Sequence, residues 1–483
     1  MELLVTHLPE ILIGLTVLGL VVAEATYFGE PTRLVAPIAL AGAAGAAALV
    51  FQSGGRQAVP GFSDFLRLLA IGVAAAAVMI AKESREVGAR RQAEASVGFL
   101  GMALCVFLAA VSDDLLLWCV SGVFFVLIGA TLSAFNKDSG ISAEAGFKFL
   151  AFGLIVQVLF AFGLALLFSH TGSFHVSVIQ KALQAKPLEL ELYGAALVLF
   201  ACAGLFWVGA FPFHFWLPDI FEGSPTPVAL AIAGMARLLG LNLLVRCVLP
   251  IFVETLHDKG GFRAQVPDWD IALSISAGVS MVIGALGSLK QQSLKRYVGY
   301  IWLLTGGMVV AGFLQMEREA LVRVAQGLPS QLVSLVGVMA AASILVDGYQ
   351  SDRWGRLGKA SSDYLGVTVG LAVFIFSILA LPPSPLFISS LGILGMAYEK
   401  GWLLLVLCGV GAWAVALAGG FRFVYMVFGE SRRWASAARQ AAVPTGGARA
   451  VFLALLILPW LAAFVGAEAL LSWLRDGLPP IFW

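Results

Sequence analysis

Apolar runs of roughly 18–25 residues, each long enough to cross a bilayer as a helix, follow one another along almost the whole 483-residue chain. A spanning segment must satisfy its own backbone hydrogen bonds, and a run of this length does so as an α-helix. The class that follows is an all-α polytopic membrane protein. Composition agrees: 60% of residues are hydrophobic and 12% are charged, against about 25% charged in soluble domains. Mean hydropathy is +0.93.

The pattern predicts about fourteen spans: 9–27, 34–51, 65–81, 94–111, 115–135, 145–168, 193–213, 228–252, 270–289, 297–315, 330–346, 363–398 with a break, 402–428 and 450–473. Connections are short, so residues 1–483 read as one membrane domain. Within it lie three N-terminal helices (1–92), a first repeat (93–252), a second repeat (270–428) and a last helix (450–473). Met1–Tyr27 has no basic leading region and reads as a first span, not a cleaved signal. In the longest connection, His170–Glu191, the spacing of Val176, Ile179 and Leu183 fits a short surface helix or an unstructured loop.

Loops after odd-numbered spans carry 16 Lys and Arg, and the other side carries nine. The positive-inside rule then puts the odd loops in the cytoplasm and both termini on the outer side. On that topology 214–227 is a cytoplasmic connection.

Proline shapes two places. Pro212, Pro218, Pro225 and Pro227 interrupt the chain after the seventh run, and Leu381-Pro382-Pro383-Ser384-Pro385 interrupts the twelfth. Proline removes an amide donor, so a helix stops or breaks there. Breaks at matching places in two halves point to inverted repeats, here spans 4–8 and 9–13, with broken helices 7 and 12.

Several chemistries are disfavoured. The cysteines Cys105, Cys119, Cys202, Cys247 and Cys408 all lie in apolar segments without a CxxC pair, which argues against zinc or iron–sulfur ligation. Glu254–His257 is a single Glu-x-x-His beyond a span end, and a di-metal bundle needs two. A net charge of +1 gives no footprint for nucleic acid. Arg67, Arg246 and Arg422 read as snorkelling or paired residues. The small-residue runs at 42–48 and 74–77 read as close-packing faces. Trp118, Trp302, Trp402 and Trp473 read as interfacial belt residues.

The stretch Pro212-Phe213-His214-x-Trp216-x-Pro218-Asp219, followed by Glu222-Gly223-Ser224-Pro225-Thr226-Pro227-Val228, resembles the signature loop of the antiporter-like membrane subunits of respiratory complex I. Its ending resembles the N-type subunit more than the M and L types. Further matches are Leu8-Pro9-Glu10, Asp114-Leu115-Leu116-Leu117, Ser142-Ala143-Glu144-Ala145-Gly146-Phe147-Lys148 and Leu294-Lys295-Arg296-Tyr297.

The resemblance implies a non-catalytic subunit of a proton-translocating NADH:quinone oxidoreductase in a bacterial-type inner membrane. NADH, FMN, iron–sulfur clusters and quinone would belong to partner subunits, with no cofactor in this chain. Neighbours would be K-, J-, A- and M-type subunits and lipids. A cation/proton antiporter or a membrane hydrogenase is the alternative home for the same fold.

In that family, buried lysines and a glutamate line a mid-membrane axis. Carried onto this chain, the fifth-span glutamate falls on Val123 and the seventh-span lysine on Trp207. The eighth-span lysine falls on Arg237, the histidine of the tenth/eleventh-span region on Thr305, and the twelfth-span lysine on Ser390. Only Lys148 keeps its residue type, and burial without the glutamate would favour its neutral form. Valine and tryptophan exchange no proton, serine and threonine do not titrate near neutrality, and arginine holds its proton. The expectation is an N-type subunit with its own proton path disabled, leaving Lys148, Arg237 and Arg246 as remnants. A subunit still conducting through these three is the alternative.

Overall fold

A computed structural model of the chain describes residues 8–26, 35–54, 61–88, 91–136, 139–185, 190–253, 269–358 and 360–429. The expected last helix at 450–473, Trp473 and Glu254–His257 lie outside these residues.

The described chain is helical, with only two isolated β-bridges. In order, α1 is Leu8–Thr26, α2 Val35–Gly54, α3 Phe62–Glu83, α4 Gln92–Val111, α5 Leu115–Ser133, α6 Gly140–Thr171 and α7 Val176–Ala185. Then come α8 Leu190–Val208, α9 Trp216–Gly223 and α10 Thr226–Leu243, which widens into a π-helix over Leu244–Val253. The second half holds α11 Trp269–Leu289, α12 Leu294–Leu314, α13 Arg318–Tyr349, α14 Leu365–Ile378, α15 Pro385–Glu399 and α16 Leu403–Gly429. Among the described residues ten helices are long and apolar enough to cross a membrane. Four shorter apolar helices accompany them, at Leu8–Val22, Val35–Val50, Leu365–Ile378 and Pro385–Glu399. The protein is an integral, polytopic membrane protein.

Local chemistry sets the helix starts. Asp114 accepts from the Leu116 amide at 2.8 Å, Ser293 from Arg296 at 3.1 Å and Ser384 from Phe387 at 3.2 Å. Each satisfies an amide that the first turn leaves without a partner. The connection 172–189 contains α7, whose Val176, Ile179 and Leu183 are buried, so the helical reading of that segment holds.

All eighteen residues of α10 are buried, and so are nearly all of α12. These two helices form the centre. On the periphery, Phe147 and Phe162 of α6 and Leu404 and Tyr425 of α16 are exposed, as a lipid-facing or subunit-facing rim requires. Close approach in α1–α2 uses the small-residue run: a Cβ on Gly42 would lie 2.4 Å from the Thr16 hydroxyl.

The two proline breaks share one backbone geometry. After α8, Gly209 adopts φ +78° before the cis Phe211–Pro212 bond; after α14, Ala380 adopts φ +54° before the cis Pro382–Pro383 bond. The Ala210 amide donates to Leu205 O at 2.8 Å, and the Leu381 amide to Phe376 O at 2.9 Å. Each break is followed by a short helix, α9 or α15. The two β-bridges also match: Leu115 N binds Phe174 O at 3.0 Å where α5 begins, and Leu294 N binds Asp352 O at 2.9 Å where α12 begins.

Two expectations change. Residues 214–227 are not a plain connection: Trp216–Gly223 is a helix, and Trp216, Leu217, Pro218, Ile220 and Phe221 are buried. These five buried side chains pack the segment against the rest of the protein. Trp118 and Trp302 are not belt residues either, since both are buried in the interior.

Candidate functional site

The central helix α10 carries a single charge. Arg237, on the wholly buried α10, is 0% exposed. Its partners among the described residues are all neutral. Nη1 donates to Thr305 Oγ1 at 2.7 Å and Gln331 Oε1 at 3.1 Å. Nη2 donates to Trp302 O at 2.5 Å and Val208 O at 3.1 Å, and Nε to Val208 O at 3.3 Å. The guanidinium carbon sits 3.8 Å from the Trp302 ring centroid, close enough for the ring's negative face to contribute. Four acceptors and a ring thus stand in for water around a buried cation. Room for it comes from Gly306, where a Cβ would lie 3.0 Å from Nη2 and 3.1 Å from Val208 O.

One residue before Val208, the seventh-span position is an aromatic block. Trp207 is buried and packs edge-on against Phe125 at 5.3 Å, Phe206 at 5.2 Å and Trp118 at 6.3 Å between centroids. Phe160 extends the cluster 4.8 Å from Trp118. Val123 is half-buried on α5. Beside it, Gln157 of α6 is buried and points at Gly122, where a Cβ would meet its Nε2 at 1.7 Å. Neither polar atom of Gln157 has a protein partner. Ser390 is buried on α15, next to Ser389, whose hydroxyl donates to Arg323 O at 2.6 Å.

Lys148 differs from the expectation of a buried, uncompensated lysine. Its side chain is 37% exposed, and Nζ lies 2.6 Å from Glu144 and 2.7 Å from Asp219. Arg296 continues the row, 3.6 Å from Asp219 and in contact with Glu222. The helical spacing of Glu144 and Lys148 and the new helix α9 bring these groups together. With these two acidic partners its position is that of a tie between α6, α9 and α12. Arg246 likewise is a tie: Nη1 donates to Ser63 Oγ at 3.0 Å and contacts Ala110 O.

A further ion pair was not visible in the sequence. Glu86, in the α3–α4 connection, binds Lys295 Nζ at 3.0 Å and accepts from the Thr226 amide at 2.8 Å. Lys295 also donates to Ser224 O at 2.9 Å. Burial alone would raise the Glu86 pKa, but Lys295 and the Thr226 bonds more than offset it and hold the carboxyl below its ordinary 4.5. The signature stretch is thus anchored at its end by Ser224 and Thr226 and along its length by Asp219 and Glu222. His214 is buried, 4.4 Å from the Phe215 ring. Among the described residues no group of three His, Cys, Asp or Glu side chains could hold a metal ion.

The family model for the membrane-spanning part of NADH:quinone oxidoreductase/Mrp antiporter proteins matches residues 112–415. The chain belongs to this family. NADH-quinone oxidoreductase subunit N of Chlorobium chlorochromatii is 28% identical over 421 residues, covering 83% of this chain and 80% of that protein. A chain of respiratory complex I from Thermus thermophilus has the same fold, with a TM-score of 0.76 at 22% identity over 96% of this chain and 99% of that one. A chain of an archaeal membrane-bound sulfane sulfur reductase gives 0.82 at 17% identity, over 99% and 98%.

Set against this antiporter family, two of the carried-over positions meet in space: Arg237 and Thr305 are hydrogen-bonded. Trp207 is joined to them through its neighbour Val208, whose carbonyl Arg237 binds. Lys148 bonds to the acids Glu144 and Asp219, and Arg246 to Ser63 and Ala110; neither bonds to Arg237. Gln331 and Gln157 were missed because an isolated glutamine in an apolar run carries no positional signal; only burial and facing helices give it one.

Proposed function

We propose that the chain is the N-type subunit of the membrane arm of a complex-I-like NADH:quinone oxidoreductase, and that its own proton path is closed. It would lie in a bacterial-type inner membrane with both termini on the outer side, built as fourteen helices in two inverted five-helix repeats. K-, J- and A-type subunits would flank one side and an M-type subunit the other. Those partners would carry the NADH, flavin, cluster and quinone chemistry.

The observation that carries the closed path is the packing of Trp207. At the position carried over from the family's lysine, a buried indole is walled by Phe125, Phe206 and Trp118. Proton relay needs a group that changes charge, and none lies in that cluster. The relatives named subunit N support the oxidoreductase over the antiporter branch of the family. The test is reconstitution of the complex in vesicles and measurement of protons moved per electron pair. Lys148→Met should leave that ratio at the wild-type value, because Lys148 is held by Glu144 and Asp219 in a tie between helices; a clear fall in the ratio overturns the closed-path reading.

A further inference from the structure

The fully buried Arg237 borders an interior that is polar but neutral. On α13, Gln326, Ser330 and Ser334 recur every fourth residue, on one helix face, with Gln331 beside them; all four are buried. Ser334 Oγ meets Ser377 Oγ of α14 at 2.6 Å. Both side-chain polar atoms of Gln326 and the hydroxyl of Ser330 have no protein partner. Pro329 lies inside the same helix and removes the amide that would bind the Ala325 carbonyl. Buried groups of this kind are satisfied by internal water. The second half therefore contains a buried polar tract with unpartnered donors and acceptors and no titratable group among these residues.

A file of water can hand on protons unless a fixed charge opposes them. Arg237 sits at the side of this tract, 3.1 Å from Gln331. All five of its N–H donors are directed at Val208, Trp302, Thr305 and Gln331. None is left to bind an anion, so an anion site is the wrong reading. The charge has no carboxylate bonded to it among the described residues, so its field is not cancelled locally. Arginine does not release its proton in the accessible range.

We propose that Arg237 is a fixed-charge barrier that keeps hydronium and metal cations out of the buried polar tract beside α13. This rests on the closed-path reading and gives it a second, electrostatic component besides the aromatic block. One unit charge at ~6 Å and an effective dielectric of about 20 lowers cation occupancy roughly 100-fold, falling toward tenfold where water and salt screen it.

The test is passive proton leak into vesicles holding the intact membrane complex, without electron donor, under an imposed pH gradient with potassium and valinomycin. Arg237→Gln should raise the leak about tenfold or more, while Arg237→Lys, which keeps a cation, should stay near wild type. Where Arg237→Gln does not assemble, Arg237→Met removes the same charge without adding a proton-carrying group and should raise the leak in the same way. A leak unchanged in the neutralised variants overturns the barrier; so does a lysine variant as leaky as the glutamine one, which would mean packing and not charge. The closed-path reading fails on a different readout, protons per electron pair during turnover, so the two failures are distinguishable.

Discussion

Removing the charge of Glu86 should loosen the anchor of the signature stretch more than any exposed ion pair would. The Lys295 side chain is 7% exposed and that of Glu86 18%, so the pair is largely shielded from solvent. In Glu86→Gln the amide oxygen still accepts from the Thr226 N–H, and Lys295 keeps the Ser224 carbonyl at 2.9 Å. What is lost is the counter-charge of a buried ammonium. Breaking a buried pair from one side costs about 3–5 kcal/mol; with two hydrogen bonds retained, ~2–3 kcal/mol is the expected loss. Lys295→Met should cost a similar amount, since it leaves the carboxylate with the Thr226 amide alone. The double variant should cost less than the two singles together, by about 1 kcal/mol or more, because neither uncompensated charge remains. Unfolding of the chain by SDS in mixed micelles, followed by tryptophan fluorescence, measures all three. A single-variant loss within ~0.5 kcal/mol of zero, or strict additivity in the double variant, would refute the argument.

The same pair makes stability acid-sensitive in a defined direction. Glu86 is held below 4.5 in the folded chain, so its contribution is fully present above the ordinary carboxylate range and is lost as pH falls through the depressed value; the acid limb of an unfolding profile should flatten in Glu86→Gln. At the first break, Gly209 has φ +78° and a Cβ there would lie 2.3 Å from Leu217 Cδ1, so Gly209→Ala should destabilise by ~1–3 kcal/mol in the same assay. At the second break the equivalent residue is Ala380 at φ +54°, and Ala380→Gly should be neutral or stabilising by up to about 1 kcal/mol.

The amino-acid sequence determined the class, the two breaks and the family. Apolar run length fixes a helical membrane protein because the bilayer tolerates few other folds, and the proline clusters mark both breaks, whereas the lone Pro329 is carried inside a helix. That Val123, Trp207, Thr305 and Ser390 carry no group titrating near neutrality was equally legible, since residue identity alone decides what can exchange a proton. What only the tertiary structure decided is where the remaining charges point. Lys148 could be placed on a span but not on its outer edge, because its partners Asp219 and Arg296 come from helices far away in sequence. Arg237 could be recognised as a cation but not as a shared hub. The acceptors that hold it come from α8, α12 and α13, and they converge only when those helices pack round α10. Glu86 and Lys295 lie 209 positions apart, and nothing local in either segment encodes that contact. Run length and residue type act within one helix; charge compensation in a low-dielectric interior depends on which helices meet, and that is set by packing.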